Sequence, residues 1–438
     1  MAITGAVAAA VRKFDPFPEF SEVRAFRGRR ETGGRQFYKS GGLIVPRYEM
    51  LPGVLVQGGA DFGQREVNGA WRGARDGEPL IGDGGLRGAE ARAQLNPGPG
   101  APASWAGSKT SNGVQITKVG TGVEFGLPFA DYRFHGTPTA NFADIDLCFG
   151  SPRWAATPNQ TYTVSAAAKL VDGSPNNVAS IGYGVVEEAA GLAYIGMSTA
   201  TLAAILSSPD DYVENRAVRT FGATAASGRG AAVMNLTVGQ AIDVTIRFYR
   251  PNITSGPDIN DPPILQTSAL AATRTTMGYR ETGRSIAPVH YGVARARWLA
   301  PVANHAGAFP ILFDMTPAVG LVGRLVWYAN KSDAVVRLAV TADSTASSTR
   351  QLGAPVLMTY TTIAWARRAD ALAVSIDGAA VLSGAADPGT NAYSRLGFTG
   401  AADVAAANLG NVEMDFFATA DGEITNDNLQ ALAARFAA

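Results

Sequence analysis

The sequence predicts an all-β protein: two tandem antiparallel β-sandwiches following an extended N-terminal segment. Three observations carry that expectation. First, side chains alternate in two long stretches. In Thr161–Leu170, Tyr162, Val164, Ala166, Ala168 and Leu170 share one face, with Thr161, Thr163, Ser165 and Lys169 opposite. In Ala241–Tyr249, Ile242, Val244, Ile246 and Phe248 share a face, with Asp243, Thr245, Arg247 and Tyr249 opposite. A period of two marks strands with one face in a core and one face free. Second, 50 glycines and 24 prolines without a collagen period imply many turns and short strands. Third, one stretch alone reads clearly as a helix, Asn426–Ala437, with Leu429, Leu432 and Phe436 on one side.

Composition narrows the classes. A length of 438 residues suits two or three domains, and 46% hydrophobic residues suffice for packed cores. The 37 basic and 37 acidic residues balance, which argues against a nucleic-acid or anionic-membrane binder, whose footprint would be basic. Cys148 is the single cysteine, so no intramolecular disulfide forms, and with three histidines a Cys/His zinc site is nearly excluded. No apolar run reaches the ~20 residues of a membrane helix. Met1–Val11 lacks the basic start of a secretory signal, so synthesis in a cytoplasm is expected.

Taken in order, residues 1–95 are rich in Arg and Gly and sparse in apolar residues beyond Leu43–Val45 and Val54–Val56. They read either as a flexible tail or as a segment that orders on a partner or on copies of itself; Phe37, Tyr38 and Trp71 favour the second. Residues 96–102, Asn-Pro-Gly-Pro-Gly-Ala-Pro, form a linker, since alternating Pro and Gly feed neither helix nor central strand. From 103 to about 280 the pattern is β, including Tyr132 with Phe134 and Ile181 with Tyr183 and Val185 on shared faces, and the strand number suits a jelly roll. A second β-region spans 285–438. There Leu325 and Trp327, Leu338 and Val340, and Leu372, Val374 and Ile376 alternate, the last leading into an Asp377-Gly378 turn with Val381 on the return strand.

These residues carry a resemblance. Asp131–Thr139, Pro158–Leu170, Asp172-Gly173-Ser174 and Ala241–Pro251 together resemble a bacteriophage-type carbohydrate-binding jelly-roll module, with Pro251-Asn252 where that family often has Pro-Gln. The Asp377-Gly378 turn, Gly410–Phe417 and the helix after Gly422-Glu423-Ile424 resemble a concanavalin A-like (laminin G-like) domain. The order of segments is similar to that of head-spike fibres of gene transfer agents, phage-derived particles that bind cell capsule. The resemblance implies a non-catalytic receptor-binding spike whose partners are cell-surface polysaccharide and, through the N-terminal segment, a particle base or capsid protein. It implies a homo-oligomer such as a trimer, without nucleic-acid binding or membrane insertion. The protein would be assembled in a bacterial cytoplasm and become extracellular on the particle. A polysaccharide-cleaving spike enzyme and a purely structural decoration protein are the alternatives.

Candidate residues follow from the chemistry. Glycan binding needs a ring for stacking and polar groups matched to hydroxyls, and acidic sugars add a role for Arg as a carboxylate clamp. Arg133, Thr163, Lys169, Asp243, Arg247 and Tyr249 on the free face supply these types, with Trp154 near a strand end and Arg337, Trp365 and Tyr393 in the second sandwich. Asp258, Asn260 and Asp261 offer oxygen ligands for calcium but lack the bidentate Glu of an EF-hand; turn formation explains them equally well. No catalytic residue is assigned. Glu187 and Glu188 are adjacent, so on a strand they face opposite sides and read as surface charges. His135, His290 and His305 read as ordinary polar residues.

Overall fold

The computed structural model describes residues 16–27, 36–40, 43–45, 48, 54–57, 63–65, 71–73, 81–82, 85–87, 92–93, 95, 102–145, 153–201, 213–249, 251–257, 273–274, 278–305, 307–317, 322–341, 347–386, 391–399 and 412–437. They form two antiparallel β-sandwiches and a C-terminal helix.

The first sandwich is one continuous stretch of chain. Its larger sheet runs Ser108–Ser111, Val114–Glu124, Leu127–Gly136, Ile242–Tyr249, Thr161–Ser174, Val213–Thr220, with Asn252–Ser255 also beside Thr161–Ser174. Its smaller sheet runs Phe142–Ile145, Ser227–Leu236, Val178–Glu188, Tyr194–Thr201, with Trp154–Ala155 against Ser227–Leu236. The two alternating stretches are direct neighbours, with Ala168 opposite Phe248. Every inward residue expected of them, from Tyr162 to Leu170 and from Ile242 to Phe248, lies in the shared core. The turn Asn112–Gly113, with φ of 50° and 80°, joins the first two strands as a two-residue hairpin of the type that needs positive φ at both positions.

The second sandwich is built from two separated pieces of sequence. One sheet runs Leu43–Val45, Phe37–Ser40, Glu22–Ala25, Val412–Asp421, His290–Trp298, Tyr360–Arg367, Ala371–Ile376, Leu382–Ala385, with Gly85–Arg87 also on Val412–Asp421. The facing sheet runs Ser347–Gly353, Val335–Thr341, Leu325–Asn330, Ile311–Pro317, Tyr393–Phe398, Gly278–Glu281, Val54–Gln57. The N-terminal segment, expected to stand apart as residues 1–95, therefore supplies strands to both sheets of the sandwich expected at 285–438. Its apolar residues are few but well placed: Phe26, Tyr38, Tyr48 and Leu86 enter the inter-sheet core, while Phe17, Phe20, Val23, Ala25 and Phe37 pack with Phe416 and the helix.

The first sandwich is thus an insertion in the second. Arg92–Ala93 on the way in pairs with Thr273–Arg274 on the way out, a two-stranded neck between them.

The helix Asn426–Ala437 starts at Thr425, whose hydroxyl accepts from the Asn428 N–H at 3.3 Å. Leu429, Ala433 and Phe436 are buried, with Leu432 half-buried beside them, and Phe436 stacks on Phe416 at 4.6 Å. The expected Asp377-Gly378 hairpin turn is present, with φ of 47° and 81° and the Ala379 N–H donating to the Ile376 carbonyl at 2.7 Å; the return strand begins at Leu382, one residue past Val381. A Cβ at Gly378 would lie 2.7 Å from the Ala434 Cβ, and Gln430 donates to the Gly378 carbonyl, so the turn is shaped to seat the helix.

Candidate functional site

The outer face of the first sandwich's larger sheet gathers the polar residues of its strands. Asp131, Arg247 and Lys169 stand in one cross-strand row. Arg247 donates to both oxygens of Asp131 at 2.8 and 2.9 Å and to Glu124 at 2.9 Å, and Lys169 donates to Glu124 at 2.8 Å. The guanidinium also lies 3.6 Å above the Phe129 ring. The Tyr249 hydroxyl donates to Glu124 as well, beneath Leu127 and Phe129. Partial burial pushes the Glu124 pKa up, but the bonds from Lys169, Tyr249 and Arg247 outweigh it and hold that carboxyl at about 2. Burial, then the Glu124 carboxylate, push the Tyr249 phenol up. Gly122 makes room for the arrangement, since a Cβ there would meet the Phe129 ring at 2.8 Å.

Further along the same face stands a second pair. Arg133 donates from Nε and Nη2 to the two oxygens of Asp243 at 2.8 and 2.6 Å, and both side chains are about half exposed, 48% and 59%. The bonds from Arg133 hold Asp243 below the usual carboxylate range, and His135 and Asp172 lie close enough to act on the pair electrostatically. Chemically this is a fixed fork of donors beside a fixed fork of acceptors, open to solvent on a rigid sheet. Such a surface matches a ligand bearing several hydroxyls.

The structure therefore brings together Arg133, Lys169, Asp243 and Arg247 and removes others from the surface. Thr163 is buried and donates to the Gly256 carbonyl at 2.8 Å. Tyr249 is covered, so its ring is no platform. Trp154 lies flat against Gly228 and packs on Tyr162 at 5.8 Å. Trp365 and Tyr393 are corrections: both are fully buried in the inter-sheet core. Trp365 donates from Nε1 to His290 Nε2 at 3.3 Å, and Tyr393 donates to the Gly323 carbonyl at 2.6 Å. Arg337 is mostly covered, with 12% of its side chain exposed, and pairs at 2.5 Å with Asp333, which is 43% exposed. Asp258, Asn260, Asp261 and Cys148 lie outside the described residues. Among the described residues no group of three or more His, Cys, Asp or Glu is placed to hold a metal ion, and no helix is long and apolar enough to cross a membrane.

Several contributors were missed. Glu124 and Asp131, which take up Arg247, carry no local signal. Glu187 and Glu188 face opposite sides as expected but are buried, not surface charges. Glu187 accepts from Arg219 at 2.8 Å and from the Gly222 N–H at 2.6 Å; Glu188 accepts from Arg153, Arg229 and Ser227 at 2.8, 2.9 and 3.1 Å. His290 and His305, read as ordinary polar residues, are fully buried.

No family model matches the chain, and no curated protein does. Among solved structures it is similar to the CBM40 module of a Ruminococcus gnavus sialidase bound to α2,3-sialyllactose, at 11% identity over 34% of this chain and 83% of that one, TM-score 0.27. It is also similar to the tandem CBM22 domains of Paenibacillus barcinonensis Xyn10C, at 10% identity over 77% and 99%, TM-score 0.25. A third is the mouse laminin α1 LG4-5 pair, at 9% identity over 62% and 92%, TM-score 0.23. At these TM-scores the likeness carries no functional statement, and the all-β assignment rests on the strand register.

Proposed function

We propose that this protein is a non-catalytic, glycan-binding spike or fibre component of a phage-like particle, adhering to cell-surface polysaccharide. The observation that supports the reading is the exposed Arg133–Asp243 pair, whose donors and acceptors are fixed by a bidentate geometry before any ligand arrives. Preorganised groups lose little conformational freedom on binding, which is where weak sugar contacts gain most. Asp243, Asp131 and Glu124 are each tied to a guanidinium, an arrangement that favours binding over acid–base work. Docking to a particle base or capsid protein falls to the N-terminal segment, and its strand Glu22–Ala25 ties that segment to Val412–Asp421. Oligomeric display would raise weak single-site affinity by avidity, roughly 10²–10⁴-fold.

The test is retention of the full-length protein on encapsulated cells and on a capsule-less strain, followed by sizing of the polysaccharide. The expected outcome is capsule-dependent retention, weakened at least fivefold by Arg133→Ala with Asp243→Ala, and a polymer of unchanged length. Shortened polymer would replace the reading with an enzyme. Equal retention on both strains would replace it with a structural or differently targeted protein.

A further inference from the structure

We infer that the second sandwich carries its own carbohydrate site, on the outward face of Leu325–Asn330, Val335–Thr341 and Ser347–Gly353, and that this site takes a neutral, hydroxyl-rich glycan. The inference rests on the glycan-binding reading and assigns it a second place and a ligand class.

The site begins with register. Tyr328, Arg337 and Gln351 lie in one cross-strand row. Their sequence neighbours Trp327, Leu338 and Val336 point the other way into the core, so the row faces outward. At its end Phe309 stands edge-on to Tyr328, ring centroids 5.9 Å apart at 78°. Phe309 is 44% exposed. An aromatic ring left in water beside polar groups is what the apolar face of a pyranose covers, removing both surfaces from solvent.

The polar half is equally fixed. Arg337 donates from Nη1 and Nη2 to the two oxygens of Asp333 at 3.0 and 2.5 Å, and from Nη1 to the Val335 carbonyl at 3.2 Å. The turn holding Asp333 is closed by its own bonds: the Val335 N–H donates to Asp333 at 3.1 Å, and Ser332 donates to Asn330 from N–H and hydroxyl at 3.0 and 2.9 Å. Gln351, exposed at the far side of the row, adds an amide that donates and accepts.

Charge selects the ligand. One guanidinium and one carboxylate cancel, and the fork of Arg337 is already filled by Asp333. A uronate or sialate would have to displace Asp333 and then face its negative charge, whereas a neutral sugar donates hydroxyls to Asp333 without cost to the pair. Bonds from Arg337 and the Val335 N–H hold Asp333 at about 2, so the pair persists across physiological pH. The first sandwich repeats the device in Arg133–Asp243, and Arg247 is likewise filled by Asp131 and Glu124. The acidic-sugar clamp expected from the sequence thus has no open Arg at any of these three positions.

The test runs the full chain through affinity gels containing neutral glucans, mannans and galactans, or the uronate polymers alginate and pectate. Retardation is expected in at least one neutral gel and not in the uronate gels. Phe309→Ala and Asp333→Asn should each weaken it about fivefold, Asp243→Asn by a similar factor, and Phe309→Ala combined with Asp243→Asn should abolish it. Phe309→Ala alters a surface ring, and an unchanged melting temperature checks that its effect is on binding. If Asp243→Asn weakens retardation but Phe309→Ala and Asp333→Asn do not, the second site is overturned and glycan binding stands. Preferential retardation by alginate or pectate overturns the neutral ligand. No retardation in any gel overturns both the site and the reading beneath it.

Discussion

The two sandwiches handle charge and chain connectivity in opposite ways. The inserted sandwich is one continuous stretch, and its largest ionic network, Asp131, Arg247, Glu124 and Lys169, lies on an outer face where each side chain keeps some contact with water. The second sandwich is assembled from two stretches, and it joins them with a charge cluster sealed between its sheets. Arg24, on the strand Glu22–Ala25, donates to Glu281 on the opposite sheet at 2.8 Å and pairs with Glu22 at 2.7 Å. Glu281 pairs in turn with Arg284 at 2.8 Å, and Arg284 donates to Ser40 at 2.6 Å. Arg24 and Glu281 are fully buried. A buried pair is weak evidence for stability but strong evidence for dependence, because either charge left alone inside is costly. The contrast teaches that the N-terminal segment is part of the second sandwich and, among its described residues, gives the core of the first only half-buried Leu95.

Removing that segment should therefore give the largest effect. Among the described residues, deleting 1–95 withdraws Phe17, Phe20, Val23, Phe26, Tyr38, Tyr48 and Leu86 from two clusters of the second sandwich and only half-buried Leu95 from the first. Calorimetry and limited proteolysis of residues 96–438 should show one surviving cooperative unit, a protected fragment near 102–257, with the rest digested. Protection of both halves would show that the N-terminal strands are dispensable. Next in size is Glu281→Ala in the full chain, which leaves buried Arg24 with Glu22 as its carboxylate and takes the Glu281 carboxylate from buried Arg284. The expected loss is about 3–5 kcal/mol, confined to the second sandwich. A urea melt followed by Trp fluorescence reports it, and a shift under 1 kcal/mol would mean that the cluster relaxes or hydrates on losing its acid.

This division also explains what was legible in the sequence. Tyr162–Leu170 and Ile242–Phe248 were readable because each strand has one core face and one outer face, so polarity alternates. Tyr360–Arg367 gives no such signal. Ile363 and Trp365 enter the inter-sheet core while Ala364 and Ala366 lie under the helix, so both faces are apolar and Trp365 looks as available as any surface ring. The N-terminal strands were illegible for another reason: they have two to four residues each, and Arg24 is read as solvent-exposed unless Glu281, 257 positions away, is known to meet it. The candidate site was half legible. Arg133 and Asp243 were named as face residues, but their pairing across 110 positions follows from register. The aromatic beside Arg337 is Tyr328, its cross-strand neighbour, which spacing along one strand does not reveal.

Acid sharpens the comparison with the smallest effect. His290, in the second sandwich, is neutral by construction: its Nδ1–H donates to the Ala287 carbonyl at 3.0 Å while Nε2 accepts from Trp365. Burial, with Arg367 nearby, lowers it from the usual 6.5 to about 3. Between those values the unfolded chain binds a proton that the folded chain refuses, so stability falls as pH drops from about 6.5 toward 3, by about 2 kcal/mol at pH 5. The inserted sandwich behaves differently. Glu124 is depressed to about 2, so its contribution is complete above about 4.5 and is lost only as pH falls below that. Melting at pH 7 and pH 5 should therefore lower the transition of the second sandwich and leave that of the first nearly unmoved. His290→Gln, whose amide retains a donor and an acceptor, should flatten the pH response of the second transition whatever it does to stability at pH 7. A first sandwich that weakens equally by pH 5 would show that the acid response does not originate at His290.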